Sequence, residues 1–196
     1  ITARYPEEAL YSALILIRNC GVESTSRNGR VIEIPGPVTT EYLYPYRRVM
    51  LDPDRDCNPF LHFFESLWML AGSDELEFLT QFTQNMANFS DDGRTLNGAY
   101  GYRWRKWFEY DQLEFIVNEL RDNPHSRRCV LGMWDPYSDL ISGKKSKDVP
   151  CNTQVFFRID RGSLTMTVCN RSNDMIWGAY GANLVHFSFL HEYVAC

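Results

Sequence analysis

With 196 residues, 44% hydrophobic and 23% charged content, the chain has the composition of an ordinary soluble globular protein, and its length suits one domain, residues 1–196, with a real core. A net charge of −5 argues against nonspecific nucleic-acid binding as the main task, while leaving room for a local basic pocket that holds one phosphate. No stretch is long and apolar enough to span a bilayer, and the first residues, which start at Ile1, carry no signal-peptide pattern, so no membrane partner is expected.

In chain order, "PEEALYSALILIRNCG" predicts a helix with Pro6 at its first position, acids in its first turn and Gly21 after its last. "TSRNGRVIEIPGP" reads as a turn, a short strand and a second turn. "NPFLHFFESLWMLAGS" predicts a helix capped by Asn58, with Pro59 at N1 and Gly72 as its stop. "DELEFLTQFTQNMANF" predicts a further helix close behind it. "SDDGRTLNGAYGYRWRKW" reads as a glycine-punctuated polar and aromatic loop, and "DQLEFIVNELRDNP" as an amphipathic helix ended at Asn123-Pro124. "RCVLGMW" is a candidate strand. "TQVFFRID" and "SLTMTVCNRS", joined by Arg161-Gly162, predict a hairpin with Leu164, Met166 and Val168 on one face of the second arm. "ANLVHFSFLHEYVAC" is apolar nearly all round, which predicts a buried helix. It stops without cap, glycine or polar tail, so further residues are expected beyond Cys196. The fold class is therefore α+β, with a mixed sheet supplied mostly by the C-terminal half.

Six cysteines, Cys20, Cys57, Cys129, Cys151, Cys169 and Cys196, form no CxxC pair and no zinc-type Cys/His cluster. No metal site is expected, and the scatter fits a reducing, cytoplasmic setting with most thiols packed as small hydrophobes. Cys151 differs. It follows Pro150 after a lysine-rich loop and opens a β-prone run. Such a cysteine, taken alone, is most often structural; it becomes a nucleophile where positive charge stabilises its thiolate. The candidate charges are Arg171 and the pair Arg127-Arg128, and arginine also suits a phosphate through its forked donors. Arg171, Ser172 and Asp174 stand within one short segment, "NRSND", a combination suited to an anionic ligand with a polar ring. Glu65, a carboxylate among aromatic helix neighbours, suits either an edge position or a proton shuttle. Composition and spacing reach no further than a cysteine-nucleophile enzyme with an anionic substrate.

The ordered motifs resemble the thymidylate synthase family along nearly the whole chain. "SRNGRVIEIPG" resembles its N-terminal phosphate loop, "HFFESLWMLAGS" its glutamate-bearing helix, "GAYGYRWRKW" its YGxxWR segment and "SRRCVLGMWDP" its paired-arginine strand. "PCNTQVFFRIDRGSLTMTVCNRSND" resembles the run from nucleophile to substrate loop, without a gap between Cys151 and Asp174. The resemblance implies one-carbon transfer to C5 of a pyrimidine nucleoside monophosphate, dUMP or dCMP, with 5,10-methylenetetrahydrofolate as co-substrate. It also implies the site. Cys151 would add to C6 and make C5 nucleophilic, Glu65 would manage protons through ordered water, and Tyr100 would help remove the C5 proton. Arg27, Arg171 and Ser172 would hold the phosphate together with Arg127 and Arg128, which in the family cross from the other subunit of a homodimer built on a sheet face. Asp174, followed by Gly178, would meet the folate. The base-reading asparagine of the family's GLPFN stretch falls on Ala182 in an ungapped count from Gly178. With one inserted residue it falls on Asn183, the preferred assignment.

Several positions depart from the family pattern. Its two tryptophan walls correspond to Met86 and Phe89, its Gly-Pro before the YG segment to Asn97-Gly98, and the histidine after its nucleophile to Asn152. The loop "SDLISGKKSKD" is a few residues longer. A wetter wall would let water add to the exocyclic methylene, giving a hydroxymethyl product as in the family's deoxypyrimidine hydroxymethylases; a dry one would allow reduction to thymidylate. The departures favour hydroxymethylation slightly and leave uracil against cytosine open. His191-Glu192-Tyr193 copies the letters of the family's sugar-holding HxY motif but falls too early, and is read as helix surface or core. A nonenzymatic nucleotide-binding relative and a cysteine hydrolase are the competing readings.

Overall fold

A computed structural model describes residues 1–26, 29–142 and 146–196. Its elements are β1 (Thr2–Ala3), α1 (Pro6–Cys20), β2 (Val22–Ser26), β3 (Gly29–Glu33), β4 (Glu41–Tyr42), α2 (Pro59–Leu70), α3 (Leu76–Thr80), α4 (Tyr100–Arg105), α5 (Gln112–Asp122), β5 (Val130–Gly132), β6 (Asn152–Asp160), β7 (Ser163–Asn170) and α6 (Asn183–Ala195), a mixed α+β set. Contacts divide the chain into two units, Ile1–Cys57 with Asp174–Ser188, and Asn58–Asn173 with Phe189–Cys196. Residues of α6 up to Ser188 count with the first unit and the rest with the second.

In the first unit, α1 begins as the sequence requires, with Pro6 at N1 and Glu7 and Glu8 against the positive helix end. It buries Ala9, Leu10 and Ala13 with Ala3 and Tyr180. β2 and β3 form an antiparallel hairpin, Val22 opposite Glu33. The sequence shows only the second arm because both strands are exposed on both faces and carry no alternation. Met175–Ala182 is π-helical, with Tyr180 and Gly181 outside helical φ/ψ, and α6 starts regularly at Asn183.

In the second unit, Asn58 accepts the Leu61 N–H at 3.0 Å and Pro59 occupies N1 of α2, as expected. The helix predicted over 74–89 is instead α3 and a separate 3-10 stretch, Gln84–Phe89. Thr83 between them is extended, and Phe78 and Phe82 turn onto Phe64, so aromatic packing overrides helical propensity. The loop predicted over 90–107 contains α4, whose Arg103 and Trp104 are buried. A Cβ on Gly101 would lie 1.8 Å from the Met69 carbonyl oxygen, so glycine there lets α4 lie directly on the α2 backbone. Asp111 caps α5 through the N–H groups of Leu113 and Glu114 at 3.0 and 3.2 Å.

The sheet of this unit runs β5-β6-β7, all antiparallel. Arg161 and Gly162 both have positive φ, 48° and 79°, the two-residue turn whose twist matches a hairpin. Along β7, Leu164, Met166 and Val168 are half-buried and Thr165 and Thr167 exposed, the expected alternation. His191 on α6 is half-buried, its Nε2 3.0 Å from the Leu164 carbonyl oxygen. The expectation of mostly buried thiols is corrected: Cys129 alone of the six is buried, and Cys20 and Cys196 are exposed because they sit at helix ends.

Candidate active site

The β6–β7 register sets the geometry around Cys151. Asn152 pairs with Asn170, so Cys151 and Arg171 stand side by side where the two strands leave the sheet, and the Arg171 N–H donates to the Cys151 carbonyl at 2.9 Å. The Arg171 side chain then folds over the peptide in front of the thiol, Nε donating to the Pro150 carbonyl at 3.0 Å and Nη2 to that of Val149 at 3.2 Å. Its guanidinium lies 5.4 Å from the Trp134 ring centre, a cation–π contact. Among the described residues Nη1 has no partner, and Arg171 borders an open cleft of about 480 Å³ lined by Gly132, Trp134, Thr153 and Gln154. A guanidinium held at two carbonyls, with a donor still free and open space at its side, can take up an anion there.

Tyr100 is brought to the same place. Burial pushes its hydroxyl well above the ordinary tyrosine range, and negative charge at Cys151 pushes the same way. Hydrogen bonding to the Asn152 backbone pulls part of the way back, Asp148 raises it again, and the Cys151 backbone lowers it. Tyr100 therefore stays a neutral phenol at neutral pH and can orient or relay a proton but not hold a phenolate charge. Asn152 is wholly buried. Its Nδ2 donates to the Cys169 carbonyl at 2.8 Å, fastening the bulge between Asn152 and Gln154, and its Oδ1 has no partner among the described residues. Glu65 on α2 is buried at 7% exposure between Phe64 and Ser66. Met86 is half-buried and Phe89 is 45% exposed, both on the 3-10 stretch. Ser172 is exposed beside Arg171.

Arg127 and Arg128 do not join this cluster within the chain. Both are exposed just before β5, and Arg128 donates to Glu119 at 3.0 Å. Val130 pairs with Phe156, so Arg128 stands level with Arg158, seven residues along β6 from Cys151, about 23 Å at ~3.3 Å per residue. In the first unit, exposed Asp174 caps the π-helical stretch, Oδ1 accepting from Ile176 and Trp177 at 2.9 and 2.7 Å. Gly178 lies within that stretch and half-buried Asn183 follows it. Arg27 lies outside the described residues. No group of three or more His, Cys, Asp or Glu that could hold a metal is found among the described residues.

Sequence reasoning missed Asp148, whose carboxylate accepts the Gly98 N–H at 2.7 Å two residues before Tyr100. The available signal was a glycine where the family pattern has proline.

Comparison with known proteins identifies the family. A family model described as thymidylate synthase matches residues 21–196. A deoxyuridylate hydroxymethyltransferase of Pseudomonas phage M6 is 53% identical over 196 residues, covering 100% of this chain and 55% of that protein. Another, of Bacillus phage SP01, is 41% identical over 179 residues, 86% of this chain and 46% of that protein. A putative thymidylate synthase of Methanosarcina barkeri is 30% identical over 196 residues, 100% of this chain and 79% of that protein. The chain thus spans about half the length of the phage proteins it matches. The match along residues 21–196, nine-tenths of the chain, makes this chain a member of the thymidylate synthase family.

Proposed function

We propose that the protein transfers a one-carbon unit to C5 of deoxyuridylate through a covalent Cys151 adduct at C6, and that the product is hydroxymethylated. The observation that carries this reading is the Arg171 side chain wrapped over the peptide that presents Cys151. It sets phosphate recognition and nucleophile at a fixed distance. The choice of hydroxymethyl over methyl draws support from the 53% identity to a deoxyuridylate hydroxymethyltransferase along the whole chain and from the exposed Phe89 wall.

C5 of uracil is a poor nucleophile. Addition of the Cys151 thiolate to C6 moves the C5–C6 π pair toward C5 and O4, splitting one hard step into easier ones. Tyr100, as a neutral hydroxyl, orients the water that takes the C5 proton, and buried Glu65 passes protons to and from O4. Elimination of the thiolate at the end restores the ring. Asn183 reads the base, since an amide offers a donor and an acceptor to N3–H and O4.

5,10-Methylenetetrahydrofolate, when bound, supplies carbon at the oxidation level of formaldehyde. Asp174 fits a role in holding it: only Oδ1 is committed to capping, and the exposed carboxylate can accept from the amino group of a pterin. Gly178 is assigned to the same side, and Met86 and Phe89 to the wall that controls water. Arg127 and Arg128 are assigned to the phosphate of a partner subunit in a homodimer, because about 23 Å of strand at ~3.3 Å per residue separates them from Cys151 in their own chain. Arg27 and Ser172 complete the phosphate set. Six free thiols support a cytoplasmic setting.

Three experiments test these assignments. Incubating the full-length protein with methylenetetrahydrofolate and dUMP should give hydroxymethyl-dUMP and tetrahydrofolate by mass spectrometry; thymidylate with dihydrofolate would replace the hydroxymethyl reading. Met86→Trp with Phe89→Trp should dry the wall and slow hydroxymethyl formation about tenfold, equal to about 1.4 kcal/mol in the barrier; an unchanged rate removes these residues from water control. Arg171→Ala should weaken dUMP binding about 10- to 100-fold, the loss of one charge-assisted contact, with deoxyuridine little affected in the same titration. Equal losses for nucleotide and nucleoside would remove the phosphate role.

A further inference from the structure

Two of the departures from the family pattern meet each other in space. Gly98, standing where the pattern has proline, donates its N–H to Asp148 Oδ2 at 2.7 Å, and Asn97 Nδ2 donates to the Asp148 carbonyl at 2.9 Å. Asp148 belongs to the lengthened loop and lies three residues before Cys151; Gly98 lies two residues before Tyr100. A Cβ on residue 98 would sit 2.7 to 2.9 Å from the carboxylate atoms of Asp148, so no side chain fits there while this contact stands. Proline would also remove the donor. The loop is fastened a second time. Ser146 Oγ donates to Asp91 Oδ2 at 2.6 Å, Lys147 donates its N–H to Asp91 Oδ1 at 3.2 Å, and its Nζ donates to the Ser90 carbonyl at 3.0 Å. The Asp148 N–H turns back onto Ser146 Oγ at 3.2 Å.

We propose that Asp148 is a positioning residue, a tether that fixes the segment carrying Cys151 against the segment carrying Tyr100. Hydrogen bonds from a backbone N–H to a carboxylate are among the stronger ones in proteins. Here one carboxylate and its own carbonyl grip adjacent residues, Gly98 and Asn97, on a strand of chain remote in sequence. The distance between thiol and phenol is thereby set by the tether as well as by α4 and β6. A displacement on the order of 1 Å between reacting groups costs about 100-fold in rate, so loss of the tether falls on the chemical step more than on nucleotide affinity. The inference rests on the roles proposed for Cys151 and Tyr100, and its test includes a measurement that does not need them.

The experiment compares full-length protein with Asp148→Ala, Asp148→Asn and Gly98→Ala. Without substrate, amide exchange should rise about tenfold in Asp148→Ala, the loss of one such bond, both in 97–101 and in 149–153. Gly98→Ala, whose methyl displaces the carboxylate, should do the same, and Asp148→Asn, which keeps an acceptor, should restore most of the protection. With dUMP, Asp148→Ala should lower kcat about 100-fold and leave KM within about twofold, again with recovery in Asp148→Asn. Unchanged exchange in either segment overturns the tether. Unchanged kcat, or kcat and KM falling together with no rescue by asparagine, overturns the positioning role. Coupled exchange changes in a protein that turns over no nucleotide would uphold the tether and count against the proposed function instead.

Discussion

Cys151→Ser should abolish product formation, lowering kcat by about 10⁴-fold or more, the scale seen when a covalent nucleophile is removed, while dUMP affinity stays within a few-fold. Serine is nearly isosteric, and the contacts that position residue 151 are backbone ones: its carbonyl accepts from the Arg171 N–H, and Arg171 grips the carbonyls of Val149 and Pro150. None of them uses the sulfur. The hydroxyl differs in chemistry, being a much weaker acid and a harder nucleophile than a thiol, so it does not add to C6. Steady-state turnover and calorimetric dUMP binding on the same preparations separate the two effects. Retained turnover would dismiss Cys151 as the nucleophile, and lost binding would make the residue structural.

The largest stability effect should come from Asp139→Ala. The side chains of Arg103 and Asp139 are both wholly buried and joined by two parallel bonds, Nη1 to Oδ2 at 2.7 Å and Nη2 to Oδ1 at 2.8 Å. Arg103 also donates to the Asn97 and Met133 carbonyls and lies 4.2 Å from the Trp107 ring centre. Removing the carboxylate strands a buried guanidinium. That costs about 3–5 kcal/mol, and in a chain of this size lowers Tm by about 6–20 °C. Thermal denaturation reads it directly. The double replacement Arg103→Met with Asp139→Leu should recover much of the loss, because an apolar pair carries no desolvation penalty. A loss below about 1 kcal/mol in Asp139→Ala, the range of exposed pairs, would mean that the pair is not buried in solution.

The same ion pair explains a limit on what the sequence discloses. Asn58 and Pro59 announce their helix because a cap acts within one turn, and Arg161-Gly162 announces its hairpin because turn geometry is local. α4 is hidden in a glycine-rich run because its central arginine is neutralised by Asp139, far along the chain. The stretch over 74–89 carries a helical pattern but is divided by packing of Phe78 and Phe82 on Phe64, which no local window contains. At the site, Cys151 and Arg171 could be paired from sequence because a tight hairpin returns the chain to its starting level. Asp148 and Gly98 could not, since their contact depends on two loops of no regular period.

The central claim is a covalent bond between Cys151 and C6 of the nucleotide. The most direct measurement uses 5-fluoro-dUMP with methylenetetrahydrofolate, because fluorine cannot leave C5 as a cation and the adduct is held. Intact-mass spectrometry of the denatured full-length protein should show the added nucleotide and folate, and peptide mapping should place the bond on Cys151. No adduct, or an adduct on Cys129, Cys169 or another thiol, would contradict the account.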